Sequence, residues 1–165
     1  MQTYKYNRIN LFHIEIQIEV NFLTRIERKI EIKTSPKKIY DILNNDELET
    51  VWNIVVNEST EIAPDKYSIK STVGDFISTI TERVENEKIS FSTDGGAFSK
   101  IGYIMSPKGD GSEVTIWGEI EDEKQEKMLL KAAEILLESL RKFADFMEEG
   151  GNPDEFDKKK IIVNP

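Results

Sequence analysis

The sequence predicts an α+β domain in which a curved, antiparallel, seven-stranded sheet wraps around one long C-terminal helix. Between Asp122 and Glu149, apolar residues recur every three or four positions, which indicates a helix with a broad apolar face. Six alternating segments separated by turn residues fill positions 54–121 and indicate a meander of strands. One more alternating segment, at about residues 25–34, supplies the seventh strand.

Residues 1–23 are predicted to be an N-terminal extension that contains an extra strand. Apolar and polar residues alternate strictly from Phe12 to Phe22, which predicts a strand at residues 11–22 with a break near Leu23. Because the sheet already supplies partners for its first strand, the extra strand must pair with a free sheet edge of its own domain or with another chain. We expect the second, in the form of a homodimer. The alternative is that the extension arises from translation at an upstream start codon.

Two short helices are predicted between the first strand of the sheet and the meander. Ser35 suits an N-cap and Pro36 suits the first helical position, where its missing N–H costs nothing. We expect Asp46 to cap the second helix. For the long helix, Asp122 is the expected N-cap, and Gly150 lies where the helix should end.

The meander strands are joined by short turns, so neighbouring strands should be antiparallel. The expected strands cover residues 54–62, 67–73, 76–84, 88–93, 98–105 and 112–121. The long helix can bury its wide apolar face only against the concave side of the sheet. Residues 150–165 are predicted to form a polar C-terminal tail.

Three stretches of the sequence are similar to one known superfamily. Residues 30–43 contain a strand, a Ser-Pro helix start and an aromatic residue, residues 46–52 form a helix that ends in Trp, and residues 115–119 precede the long helix. Together with the order of elements, they resemble the START/Bet v1-like (SRPBCC) superfamily, which includes polyketide cyclases and CoxG-like proteins. The resemblance covers about residues 24–149 and implies a helix-grip fold with a ligand-binding cavity. The chain departs from the plant-type pattern at residues 63–66, where a short turn replaces a glycine-rich loop.

Composition excludes several classes of function. The chain has 165 residues and a net charge of −9, which argues against nucleic acid and anionic membranes as partners. It has no cysteine, so thiolate metal sites and cysteine nucleophiles are excluded. No apolar run approaches the roughly 20 residues of a membrane span. We expect a cytoplasmic protein, and the many Lys, Glu and Ile residues lean towards a thermophile.

The sequence predicts no catalytic residue, no metal ligand and no cofactor. His13 is the only histidine and falls on the polar side of its strand, which argues against a triad or a histidine zinc site. The acidic residues at positions 119–126 are interpreted as a solvated surface that complements the helix dipole.

The expected ligand site is a mostly apolar cavity under the long helix. Ala132 and Ala133 are small residues in a stripe of larger ones, so they leave space between helix and sheet. The residues expected to line or border this cavity are Trp52, Tyr67, Ile69, Phe76, Phe91, Tyr103, Ile116, Met128, Ala132 and Leu136.

These features favour a binding or carrier protein for a small apolar or lipid-like ligand over an enzyme. A cyclase- or aromatase-like enzyme that uses the same cavity is the first alternative, with Tyr103, Glu82 and Arg83 as the candidate proton-transfer groups. The second alternative is a protein-interaction module that serves a larger enzyme complex, which the acidic surface and the extra strand would allow.

Overall fold

The structure is a computed structural model that describes residues 7–11, 14–18 and 22–162. Its main body is a curved seven-stranded antiparallel sheet with a long C-terminal helix, as predicted. The strands are β1 (Asn7–Leu11), β2 (Ile14–Ile18), β3 (Thr24–Ile32), β4 (Val56–Ala63), β5 (Lys66–Ser71), β6 (Phe76–Val84), β7 (Lys88–Asp94), β8 (Phe98–Lys108) and β9 (Gly111–Ile120). The helices are α1 (Pro36–Leu43), α2 (Asp46–Trp52) and α3 (Glu126–Glu148).

The seven strands lie in the order β3-β9-β8-β7-β6-β5-β4. Strands β4 to β9 form the predicted meander, in which each strand pairs with the next. Strand β3 pairs with β9, and this register places Thr24 opposite Ile120. The sheet therefore has its two edges at β3 and β4, and helices α1 and α2 connect these edges.

Polar side chains set the starts of the helices. The Ser35 hydroxyl accepts a hydrogen bond from the backbone N–H of Lys38, and Pro36 follows it as predicted. Helix α2 is capped by Asn45 and not by Asp46, which is the first helical residue. Asp122 caps a short 3-10 turn, so α3 begins at Glu126, later than the sequence pattern predicted.

The apolar face of α3 divides into two parts. Beyond Leu136, the side chains of Leu137, Leu140, Phe143 and Ala144 are buried in the main core, against α1, α2 and the sheet. Before Leu136, the small residues Ala132 and Ala133 line a cavity, while Leu129 is buried with Ile26 and Ile120 in a second, smaller core cluster. The cavity thus lies on the N-terminal side of the main core.

The N-terminal extension contains a hairpin where a single strand over residues 11–22 was predicted. Leu11 belongs to β1, which pairs antiparallel with β2 in a separate two-stranded sheet. The apolar residues of β1, Ile9 and Leu11, are at odd positions, whereas those of β2 are at even positions, so the alternation that starts at Phe12 gave no sign of β1. Phe12 and His13 lie between these strands, outside the described residues.

The segment after α3, which was predicted as a polar C-terminal tail, folds back onto the domain. The ring of Phe156 lies 4.9 Å from that of Phe143 and 5.4 Å from that of Phe146. The ammonium group of Lys158 donates hydrogen bonds to the backbone carbonyls of Thr50, Asn53 and Val56, at 2.6, 3.0 and 2.7 Å. The segment therefore covers the end of α2 and the start of β4.

Across the described ranges 7–11, 14–18 and 22–162, every helix is too short or too polar to span a lipid bilayer.

Candidate ligand-binding cavity

A cavity of about 130 Å³ lies between the first half of α3 and the concave face of the sheet. Its walls come from β3 to β9, from the ends of α1 and α2, and from α3. Most of the lining is apolar, and the lining residues Asn44 and Asp46 are exposed to solvent. The cavity therefore reaches the protein surface near the junction of α1 and α2.

Strand alternation places the side chains that form the floor of the cavity. On β5, Tyr67 and Ile69 are two positions apart and both are buried towards α3. On β7, Ile89 and Phe91 follow the same rule, and Phe91 meets Tyr103 of β8 in an edge-to-face contact with ring centroids 6.5 Å apart. Because side chains alternate between the two faces of a strand, the face on which one residue lies determines the face of every other residue in that strand.

Most of the residues that the sequence analysis assigned to the cavity lie in its wall. These are Tyr67, Ile69, Phe76, Phe91, Tyr103, Ile116, Ala132 and Leu136. The structure shows that they come together at one place. Their role in binding a ligand stays a prediction.

Trp52 and Met128 lie elsewhere. Trp52 is fully buried in the main core, where its backbone carbonyl accepts a hydrogen bond from the Ser139 hydroxyl, while its indole N–H has no partner among the described residues. Met128 is 54% exposed. It lies about 100° around the helix from the buried Leu129, because an α-helix turns by that angle per residue, and this places it at the edge of the apolar face.

Glu49 is a polar residue of the cavity that the sequence analysis missed. Its Oε1 accepts a 2.7 Å hydrogen bond from the side-chain amide of Asn53, one helical turn later, and both residues line the cavity. Burial raises the pKa of the Glu49 carboxyl, and the nearby Asp46 adds to this, while the Asn53 hydrogen bond and the Lys158 ammonium oppose it. The carboxyl group therefore holds its proton more readily than a solvated glutamate does.

One signal in the sequence pointed to Glu49. Glu49 precedes the buried Trp52 by three positions and Asn53 by four, and residues at these spacings share one helix face. Because Trp52 is fully buried, Glu49 on the same helix face also points towards the interior, whereas Glu47 is exposed.

Tyr103 places a second polar group at the cavity. Its side chain is only 8% exposed, and within residues 22–160 its hydroxyl makes no hydrogen bond. Burial raises the pKa of this hydroxyl well above its usual value, and the negative charge of Glu49 raises it further. The hydroxyl is therefore protonated at any physiological pH and can act as a hydrogen-bond donor.

The mouth of the cavity has its own polar contacts. The Tyr67 hydroxyl donates to the Asp46 carboxylate, and burial together with this bond raises the pKa of Tyr67.

Arg83 donates to the side chains of Asn44 and Asp65, both at 2.8 Å, and so connects the α1–α2 junction to the sheet. The neighbouring Glu82 is exposed and pairs with a lysine. Arg83 and Glu82 thus lie on the surface, and of the three proton-transfer candidates only Tyr103 faces the cavity.

Neither the protein-family models nor the curated proteins include a match to this chain. Solved structures do match. The Aha1 dimer from Colwellia psychrerythraea aligns at 19% identity over 78% of this chain and 99% of that one, with a TM-score of 0.59.

Two further structures agree with this result. A START superfamily protein from Mycobacterium smegmatis aligns at 20% identity over 76% of this chain and 97% of its own, with a TM-score of 0.60. CalU16 from Micromonospora echinospora aligns at 12% identity over 89% of this chain and 90% of its own, also with a TM-score of 0.60. At these identities the likeness shows the fold alone, and the fold is the helix-grip fold of the START/Bet v1-like superfamily, as the sequence resemblance implied.

Proposed function

We propose that this protein binds a small apolar molecule in the cavity between its sheet and α3. The observation that carries the proposal is the cavity itself, a mostly apolar space of about 130 Å³ that extends from the surface near Asp46 into the interior. Pockets for small ligands have this character, with an apolar lining and a few placed polar groups. The residues expected to contact the ligand are those of the cavity wall.

The volume of the cavity limits the size of the ligand. An apolar cavity of about 150 Å³ in another protein accepts benzene. A cavity of about 130 Å³ therefore suits a body of about one ring if the protein does not move. A larger lipid-like ligand would require the first half of α3 to shift away from the sheet.

Filling the cavity tests the proposal. Ala132 lines the cavity from α3, so Ala132→Phe should place its ring in the existing space and abolish binding of p-xylene, measured by titration calorimetry. Ile135→Phe is the matched control, because Ile135 is on the same helix but is 36% exposed. We expect the control to bind p-xylene within about twofold of the unaltered protein, since its surface position leaves the cavity unchanged. Unchanged binding by Ala132→Phe would contradict the proposal.

An enzyme of the cyclase or aromatase type is the second candidate. It is favoured by the raised pKa of Glu49, an acid that lines the same apolar cavity as Tyr103. Native mass spectrometry of freshly purified protein would identify a co-purifying ligand, and conversion of that ligand on incubation would establish the enzyme. A cytoplasmic location and a role as an interaction module stay predictions.

A further inference from the structure

We propose that Glu49 and Tyr103 together bind one hydroxyl group, so that the ligand is an apolar alcohol or phenol. The inference rests on the proposed function and adds the chemical class of the ligand. Its apolar body would fill the space under α3, and its hydroxyl would lie between the two side chains.

The geometry around Glu49 leaves one acceptor for the ligand. Oε1 is occupied by the Asn53 amide at 2.7 Å. Oε2 has no hydrogen-bond partner among residues 22–160, and the side chain lines the cavity. The Lys158 ammonium lies near Glu49 but is already bonded to three backbone carbonyls. A donor arriving from the cavity would therefore complete the hydrogen bonding of this carboxyl group.

Tyr103 offers the complementary donor. Its side chain is largely buried and lines the cavity, and its hydroxyl makes no hydrogen bond to Glu49 or to any other residue of 22–160. Neither this hydroxyl nor Oε2 of Glu49 is among the fully buried polar atoms that lack a partner in the described part of the chain, so both atoms keep accessible surface. Because both residues line the cavity, one polar group of a bound molecule can reach the two of them.

A hydroxyl is the smallest group that satisfies both side chains. Its oxygen accepts from the Tyr103 hydroxyl while its hydrogen is donated to Oε2 of Glu49. A protonated amine has no lone pair for Tyr103, and a carboxylate would be repelled by Glu49. A ketone has no hydrogen to donate to Glu49 when that residue is ionised.

The pair p-cresol and p-xylene tests the inference, since they differ only in a hydroxyl in place of a methyl group. We expect the unaltered protein to bind p-cresol at least about fivefold more tightly than p-xylene in calorimetry, the gain of about one net hydrogen bond. In Tyr103→Phe and in Glu49→Met, the ratio of p-cresol affinity to p-xylene affinity should fall to about one. Tyr40→Phe is the control, because Tyr40 is a buried tyrosine of the main core outside the cavity wall.

The outcomes separate the two proposals. Equal binding of p-cresol and p-xylene to the unaltered protein overturns the hydroxyl site but leaves the apolar cavity as a binding site. Tighter binding of acetophenone than of p-cresol also overturns it, in favour of a carbonyl ligand. If neither p-cresol nor p-xylene binds, the proposed function fails and the hydroxyl site fails with it. Circular dichroism of each variant confirms that the fold is retained.

Discussion

The Glu49 carboxyl should make the stability of the protein depend on pH in a definite direction. Its pKa is raised in the folded state, chiefly by burial. A raised carboxyl pKa stabilises the fold below the unfolded pKa of about 4.3, and this contribution is lost as the pH rises through the folded pKa. Near the carboxyl, Asp46 favours the neutral form, whereas Asn53 and Lys158 favour the charged form.

Glu49→Gln should therefore gain unfolding free energy relative to the unaltered protein as the pH rises from 4 to 8, measured by urea titration. Gln keeps an oxygen for Asn53 but carries no charge to bury. Glu47→Gln on the exposed side of the same helix is the control. A difference that is independent of pH, or that falls as pH rises, would refute the assignment.

Individual residues also show where sequence patterns succeed and where they fail. Tyr67, Ile69 and Phe91 were placed correctly in the cavity wall because alternation along a strand has only two outcomes. On a helix, the burial of side chains changes gradually around the helix axis. Met128 is next to the buried Leu129 and was therefore predicted to line the cavity, although it is exposed. Glu49 was missed because its charge suggested a solvated position, and only its spacing to Trp52 indicated otherwise.

At the scale of elements, Lys158 connects the C-terminal segment to α2 and β4. Its ammonium group satisfies the carbonyls of Thr50, Asn53 and Val56 at the end of α2, where a cation also complements the helix dipole. Lys158→Met keeps the length of the side chain but leaves these carbonyls without their donor. We expect this variant to lose about 1–3 kcal/mol of unfolding free energy in urea titration.

Lys160→Met is the control for this prediction, because the Lys160 side chain is 84% exposed and makes only a surface ion pair. Its unfolding free energy should change by less than about 0.5 kcal/mol. If the two variants lose the same unfolding free energy, the contacts of Lys158 with α2 and β4 do not contribute to the stability of the fold.

The turns between elements were readable in the sequence, while the docking of the C-terminal segment was not. Asp65, Asn86 and Gly74 adopt positive φ in the turns that join neighbouring strands, and these residue types tolerate that conformation. Phe156 and Lys158, by contrast, lie in a polar stretch, and their partners are distant in sequence. A local pattern carries no information about such contacts.

At the scale of the whole molecule, the N-terminal hairpin stands apart from the seven-stranded sheet. Strands β1 and β2 hydrogen bond to each other in a sheet of their own. An isolated two-stranded hairpin is at best marginally stable in water, so we expect this hairpin to pack on a further surface. A second copy of the chain remains the expected partner.

Deleting residues 2–22 tests this expectation. We expect light scattering to give a dimer mass for the full chain and a monomer mass for the shortened one. The amide-exchange protection of β3–β9 should be the same in both, because the deleted strands do not belong to that sheet. Two monomers would exclude the dimer, and a loss of protection in β3 would show that the extension supports the domain.

The pairing of β3 with β9 has a consequence for synthesis of the protein. Ile26 and Ile32 are buried at opposite ends of β3, yet their partner strand ends at Ile120, roughly 90 positions later. Ribosomes add about 5–20 residues per second, so roughly 5–20 seconds pass between the synthesis of β3 and the synthesis of its partner strand β9. During this time the apolar side chains of β3 have no partner strand. The meander can form hairpins during this time, whereas β3, α1 and α2 cannot reach their final places. The first strand of the sheet is thus the part of the nascent chain that depends most on protection from aggregation.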